Sequence, residues 1–257
     1  MATIGIFDSG SGGLSVYKEL VKLLPQEHYL YFSDNAHCPY GEKSAAYIQD
    51  RGRAITDILL GMGANIIVVA CNTATAAAIA TLRAEYPHVP FVGMEPAVKP
   101  AALGTRSGVI GVLATAGTLK GSKYLTTRGH FEDNVTIVEH VGEGFVELVE
   151  NGILDGPQAL ATVRASLQPL LDAGADTIVL GCTHYPFLRP VIERICGPGV
   201  QVIDPAPAVA RQTVRVLAQH GIPTGEGPFS ADLYASGDLQ ALSRIYALVA
   251  PNAQSAD

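Results

Sequence analysis

The chain has 257 residues, of which 48% are hydrophobic and 16% charged, with a formal net charge of −7 at pH 7. This size and composition fit one large or two small folded domains and exclude a disordered chain. Because no basic run occurs, nucleic acid and an anionic membrane surface are disfavoured as main partners.

The uncharged segment 58–82 is long enough to span a bilayer, yet its glycines, asparagines and threonines favour a strand, a turn and a helix. The N-terminus lacks the basic start and apolar stretch of a secretory signal, so we expect a cytoplasmic protein. Its four cysteines are then expected to be reduced, and their spacing matches neither CxxC nor a structural zinc site.

Short apolar strands are expected to alternate with helices along the whole chain. Strands are predicted at residues 4–7, 29–32, 66–70, 91–93, 109–113, 135–139, 178–180 and 202–203. Helices are predicted at residues 15–24, 44–62, 73–86, 120–127, 144–150, 158–173, 188–195 and 208–220. This alternation predicts an α/β fold with parallel sheets flanked by helices.

An internal repeat divides the chain into two halves. LLGMGANIIVVAC ending at Cys71 aligns without a gap with LLDAGADTIVLGC ending at Cys182, and GIFDSGSGG (5–13) loosely parallels GVLATAGTL (111–119). The repeat predicts two similar lobes, and if these lobes face each other, Cys71 and Cys182 flank one cleft. Residues 98–207 would form the second lobe, and residues 1–97 would be completed by 208–257.

Cys71 and Cys182 both end a predicted strand and precede a polar turn. Ligands of parallel α/β sheets bind at such strand ends, where free N–H groups and the helix dipole are expected to lower a thiol pKa. A lone buried cysteine is often just a small apolar residue. Two cysteines at the same position of the repeat favour a functional pair of thiols. One thiol would remove a proton from one face of a carbon atom, and the other would return a proton to the opposite face, without metal or cofactor. Cys38 and Cys196 lack this context.

The loops nearby carry groups that suit a small polar ligand. DSGSGG (8–13) follows the first strand, and its N–H groups suit a carboxylate or a phosphate. It is neither GxGxxG nor a P-loop, which disfavours a nucleotide. The carboxylate of Asp8 is suited to bind an ammonium group, but it is equally suited to cap the turn that follows it. The same choice between ligand binding and a structural role stays open for Tyr40, Asn72, Thr73, Thr183 and His184.

The motifs DSGSGG, PYG followed by GEKS, ACNTAT, GMEP and GCTHYP, in this order, resemble the glutamate racemase family over residues 5–209. The resemblance implies cofactor-independent interconversion of L- and D-glutamate, which supplies D-glutamate for bacterial peptidoglycan. It implies two α/β lobes with the active site in the cleft between them. It also implies glutamate as the small-molecule partner and no metal, and it leaves a homodimer open.

By the same resemblance, Cys71 acts on D-glutamate and Cys182 on L-glutamate. Asp8, His184 and Glu150 match the auxiliary catalytic positions, with Glu147 as an alternative to Glu150. The implied substrate-binding residues are Asp8, Ser9, Tyr40, Gly41, Asn72, Thr73, Thr183 and His184.

Three other hypotheses stay open. The nearest is an aspartate, hydantoin or related racemase of the same superfamily. A hydrolase using Cys182 and His184 leaves Cys71 without a role. A two-lobed binding protein would bind a small molecule without turnover and needs no thiols in its cleft.

Overall fold

The computed structural model describes residues 1–225 and 227–250. The strands are β1 (Thr3–Asp8), β2 (His28–Ser33), β3 (Ile66–Val69), β4 (Phe91–Gly93), β5 (Val109–Ala114), β6 (Thr136–Val141), β7 (Thr177–Gly181), β8 (Gln201–Ile203) and β9 (Ser230–Ala235). The helices are α1 (Leu14–Leu23), α2 (Ala45–Gly61), α3 (Asn72–Glu85), α4 (Val98–Gly104), α5 (Ala116–Leu119), α6 (Ser122–Gly129), α7 (Phe145–Glu150), α8 (Gly156–Asp172), α9 (Arg189–Cys196), α10 (Ala206–Gln219) and α11 (Leu239–Tyr246).

The strands form two fully parallel sheets. The first has the order β4-β3-β1-β2-β9, and the second has the order β6-β5-β7-β8. The second sheet therefore repeats the order β2-β1-β3-β4 of the first, and β9 adds an edge strand. The predicted α/β fold with parallel sheets flanked by helices is confirmed.

The repeat extends to the register of the strands. Gly5 of β1 pairs with Ile67 of β3, and Gly111 of β5 pairs with Ile178 of β7. In both halves an added Cβ on the glycine would lie within 3 Å of the isoleucine Cδ1, so a side chain at either position would force the isoleucine to shift. Every residue of β3 and β7 is buried, which explains their continuous apolar sequences. The loops after these two strands therefore occupy equivalent places.

After β8 the chain returns to the first sheet. Helix α10 packs against α1, and β9 pairs in parallel with β2. One buried apolar cluster includes residues of both halves, such as Ile6 and Leu180, so the halves also share packing. The lobe boundaries after residues 97 and 207 stay a prediction.

Several elements differ from those expected. Helices α4 and α11 and strand β9 were not predicted, and the helix expected at 120–127 is replaced by α5 and α6 with Gly121 as the cap between them. Segment 58–82 is divided among the end of α2, β3 and most of α3. Among the described residues, no helix combines the length and apolarity needed to cross a membrane.

Candidate active site

The two halves close over a small cavity at the carboxyl ends of β1, β3, β5 and β7. Cys71 and Cys182 both line it and are only 4% and 6% exposed. The cavity measures about 10 Å³, close to the space that one water molecule needs. Its other wall residues are Ser9, Pro39, Tyr40, Gly41, Asn72, Thr73, Thr115, Val146, Thr183 and His184.

Hydrogen bonds between the halves hold this closed arrangement. The Ser15 hydroxyl donates to the carbonyl oxygen of Thr183 over 3.0 Å, and the Thr183 hydroxyl donates to Asp8 Oδ2 over 3.2 Å. At the other end of the cavity, the hydroxyl oxygens of Thr73 and Thr115 are 2.8 Å apart. Opening the cavity therefore breaks several polar contacts at once.

Cys71 caps the N-terminus of α3 with its sulfur. The N–H of Ala74 donates to Sγ over 3.4 Å, and the thiol donates to Ser9 Oγ over 3.8 Å. Burial, and then the charge of Asp8, raises the pKa of the Cys71 thiol well above its usual range. The expected lowering of this pKa is wrong, because burial and a carboxylate outweigh the N–H donor.

Cys182 directly follows β7 and begins a chain of polar side chains. Its Sγ lies 3.8 Å from Nδ1 of His184, and Nε2 of His184 lies 2.7 Å from Oε1 of Glu150. The backbone N–H and the hydroxyl of Ser11 donate to the Glu150 carboxylate over 2.6 and 3.0 Å. The ring of His184 is thus held between the thiol and the carboxylate.

His184 and Glu150 stabilise each other's charged forms. Burial lowers the pKa of His184, but the hydrogen bonds and charges of Cys182 and Glu150 outweigh it, and the pKa lies well above its usual range. Burial raises the pKa of Glu150. The hydrogen bond and charge of His184 and the two donors of Ser11 outweigh burial, so the pKa lies below its usual range. Each partner therefore favours the charged form of the other.

Glu147 and Glu150 share helix α7 but differ in environment. Glu150 is partly buried against His184, whereas Glu147 is exposed. Among the described residues, the Glu150 side chain hydrogen-bonds to His184 and Ser11, whereas the Glu147 side chain makes no hydrogen bond to the site. Geometry therefore favours Glu150 as the auxiliary acid, while its role stays a prediction.

Asp8, the last residue of β1, is fully buried behind Cys71. Its Oδ2 accepts hydrogen bonds from the N–H of Gly13 at 2.7 Å and from the hydroxyl of Thr183. Burial raises the pKa of Asp8, and the charge of His184 opposes this shift without reversing it. Asp8 thus caps its own turn and also contacts the second half. Asp8 and Glu150 are the two predicted site residues that do not line the cavity.

Tyr40 lines the cavity and is fixed from behind. Its hydroxyl donates to Asp34 Oδ2, and Arg51 donates to both oxygens of Asp34 over 2.9 and 2.7 Å. Asn72 differs, because both polar atoms of its side chain are buried without a partner among the described residues. A buried polar group left unpaired costs about 1–3 kcal/mol, so this amide is suited to a polar ligand.

The comparisons with known proteins agree with this geometry. A family model described as Asp/Glu/Hydantoin racemase matches residues 4–213. The chain belongs to this racemase family. The glutamate racemase of Ectopseudomonas mendocina is 48% identical over 248 residues, which cover 96% of this chain and 94% of that protein. The predicted resemblance to glutamate racemases is confirmed.

Solved structures in the racemase family share the fold. The Escherichia coli glutamate racemase, in complex with L-glutamate and the activator UDP-MurNAc-Ala, matches with a TM-score of 0.85 and 34% identity over 96% of this chain and 94% of that one. The Francisella tularensis glutamate racemase in complex with D-glutamate matches with a TM-score of 0.82 and 27% identity over 96% and 93%.

Three polar residues of this racemase-family site were not among the predicted ones. Ser11 holds Glu150, and Thr115 and Thr118 form a hydroxyl cluster with Thr73, with oxygen distances of 2.8 to 3.3 Å. The repeat carried a signal for Thr115, because the loose match of 5–13 with 111–119 aligns it with Ser9. Ser11 lies within DSGSGG (8–13), whose N–H groups were expected to suit a carboxylate, whereas no comparable signal marks Thr118.

Gly12 fits beneath the imidazole of His184. A Cβ added there would lie 2.3 Å from Nδ1, so the ring must shift from its place between Cys182 and Glu150. We expect Gly12→Ala to destabilise the fold by about 1–3 kcal/mol and, through the displaced ring, to lower kcat for glutamate racemisation by about 10²-fold. Gly61→Ala is the matched control, because its Cβ meets nothing within 4 Å. Kinetics and thermal unfolding of both variants test this, and an unchanged kcat in Gly12→Ala contradicts it.

Proposed function

We propose that this member of the racemase family interconverts L- and D-glutamate without a cofactor, with Cys71 and Cys182 as the proton-exchanging groups. One observation carries the proposal: the two strand-end thiols line one buried cavity from equivalent positions of two repeated halves. The relatives support glutamate as the substrate, since one is described with L-glutamate and another with D-glutamate.

The reaction is an exchange of the proton at Cα. A thiolate removes the Cα proton and becomes a thiol, which leaves a carbanion. The thiol on the opposite face then donates its proton to the same carbon and becomes a thiolate, so the configuration inverts. Following the family resemblance, Cys71 removes the proton of D-glutamate and Cys182 that of L-glutamate. Each turnover leaves the thiols in the state that the reverse reaction needs.

Each thiol has its own helper in this proposal. The raised pKa of Asp8 suits a carboxylate that takes a proton from the neighbouring Cys71. On the other side, the imidazolium of His184 stabilises the Cys182 thiolate, and Glu150 holds the ring in place. The two helpers differ in charge, so the two thiols are activated by different means.

We assign substrate binding to the polar residues of the cavity wall. The unpartnered amide of Asn72 supports this assignment. Asp8 lies behind this wall, and its carboxylate is suited to attract the substrate ammonium from there. The other proposed binding residues are Ser9, Tyr40, Gly41, Thr73, Thr183 and His184.

A cavity of about 10 Å³ is too small for glutamate, so the halves must separate to admit it. Closure around the substrate then excludes water and strengthens every electrostatic interaction that stabilises the carbanion. This matters because the Cα proton is very weakly acidic and a thiolate is a modest base. We further infer that the reaction takes place in the cytoplasm and that its D-glutamate serves peptidoglycan synthesis, as the family resemblance implies.

A substrate comparison tests the proposal. Purified protein is incubated with L-glutamate, L-aspartate or a hydantoin, with a thiol reductant and without added cofactor, and the enantiomers are separated by chiral chromatography. We expect L-glutamate to reach an equal mixture of enantiomers. Turnover of aspartate or the hydantoin instead would indicate a sibling activity, and binding without any turnover would indicate a binding protein.

A further inference from the structure

A third thiol lies beside the proposed catalytic groups. Sγ of Cys38, a carboxylate oxygen of Glu150 and a ring nitrogen of His184 lie within 4.8 Å of one another. Cys38 belongs to the loop between β2 and α2 in the first half, while Glu150 and His184 belong to the second half. The racemase chemistry proposed above gives Cys38 no task.

The three groups lie around the position that a Cβ of Gly10 would occupy. A Cβ at Gly10 would lie 2.3 Å from Glu150 Oε1, 3.1 Å from His184 Nε2 and 3.2 Å from Cys38 Sγ. Because the three donor atoms lie within 4.8 Å of one another and protein ligands bind Zn²⁺ at about 2.0–2.3 Å, movements of about 1 Å or less would bring all three to bonding distance of one ion.

Thiolate, imidazole and carboxylate together form a donor set typical of Zn²⁺. We propose that Cys38, Glu150 and His184 bind a thiophilic divalent cation such as Zn²⁺, which fastens the two halves together and inhibits the enzyme. Because glutamate reaches the cavity only when the halves separate, an ion bound across the cleft keeps substrate out. It also takes Nε2 of His184 away from Glu150.

Binding exchanges protons for the metal without any oxidation. The thiol proton of Cys38 and the proton between His184 Nε2 and Glu150 Oε1 pass to the buffer, and Nδ1 of His184 stays directed at Cys182. Water fills the fourth position of a tetrahedral ion. The inhibition rests on the proposed racemase function, whereas the binding does not.

Cobalt(II) is the probe for binding, because a thiolate ligand gives it a charge-transfer band in the near ultraviolet. The full chain is titrated with Co²⁺ under a phosphine reductant. We expect the band to saturate at one ion per chain, to disappear in Cys38→Val and to persist in Cys196→Val, the control for a partly buried thiol elsewhere. If Cys38→Val does not fold, Cys38→Ser replaces it. A full band in the folded Cys38 variant would overturn the site.

Inhibition is measured separately with Zn²⁺ alone. We expect Zn²⁺ to raise the apparent KM for glutamate and EDTA to restore it. Removing even an outer-shell partner of a metal site costs up to about 100-fold in metal affinity, and Cys38 is a direct ligand. The Cys38 variant should therefore need at least about 100-fold more Zn²⁺ for the same inhibition. Equal inhibition of that variant would place the ion on the catalytic thiols and overturn the proposal. A wild type without racemase activity but with the Co²⁺ band would count against the proposed function and leave the site standing.

Discussion

Cys71→Ala and Cys182→Ala are each expected to lower the rate of glutamate racemisation by about 10³-fold or more. Each substitution removes one of the two groups that exchange the Cα proton, and general acid–base groups contribute about 10² to 10⁴-fold. Because inversion needs both faces, the loss should appear in both directions. Initial rates from L- and D-glutamate, followed by chiral chromatography, measure it.

Cys196→Ala is the control, because this thiol lies at the end of α9, and Cys196 is not among the residues lining the cavity. Both cavity cysteines are small buried side chains, so alanine should leave the fold intact, which circular dichroism and thermal unfolding will check. Normal turnover in either cavity variant with an intact fold would refute the two-thiol assignment.

Glu150→Gln is expected to lower kcat by about 10²-fold, because glutamine cannot stabilise the imidazolium of His184 as a carboxylate does. Glu147→Gln is the matched control, since the same change occurs on the same helix at an exposed side chain. The pKa of His184, followed by NMR of its ring, should fall in Glu150→Gln and stay high in Glu147→Gln. Equal kinetics and equal ring titration in the two variants would rule out the proposed role of Glu150.

The same pair predicts a pH dependence of stability. The raised pKa of His184 stabilises the fold fully below its unfolded value of about 6.5, and this is lost as the pH rises through the folded pKa. The lowered pKa of Glu150 stabilises the fold above about 4.3, and this is lost as the pH falls through its folded pKa. Glu150→Gln should therefore reduce the free energy of unfolding most between about pH 4.3 and 6.5.

The alternation of strands and helices could be predicted because buried parallel strands have continuous apolar sequences, as β3 and β7 do. Strand β9 could not, since SADLYA is a partly exposed edge strand with Asp232 in its middle. Its pairing with β2, far away in the chain, stabilises it rather than any local apolar pattern. Helix α4 has only seven residues and carries Pro100 in its first turn, where the missing N–H costs no helical hydrogen bond, so no long apolar pattern marks it.

The places of Cys71 and Cys182 could be predicted because the repeat puts them at equivalent strand ends. The pKa of Cys71 could not, because its burial and its contact with Asp8 arise from the pairing of β1 with β3. The choice between Glu147 and Glu150 also needed the structure, since both lie on one short helix whose packing decides which reaches His184.

The isotope content of substrate and product early in the reaction tests the two-thiol exchange most directly. L-Glutamate is incubated with the protein in heavy water, and both enantiomers are separated before equilibrium and analysed by mass spectrometry. Two-thiol exchange predicts deuterium at Cα of the D-glutamate formed and none in the remaining L-glutamate, because Cys182 removes the proton and Cys71 delivers a solvent-derived deuteron to the opposite face. Equal deuterium in both enantiomers would contradict it, since one base would then serve both faces.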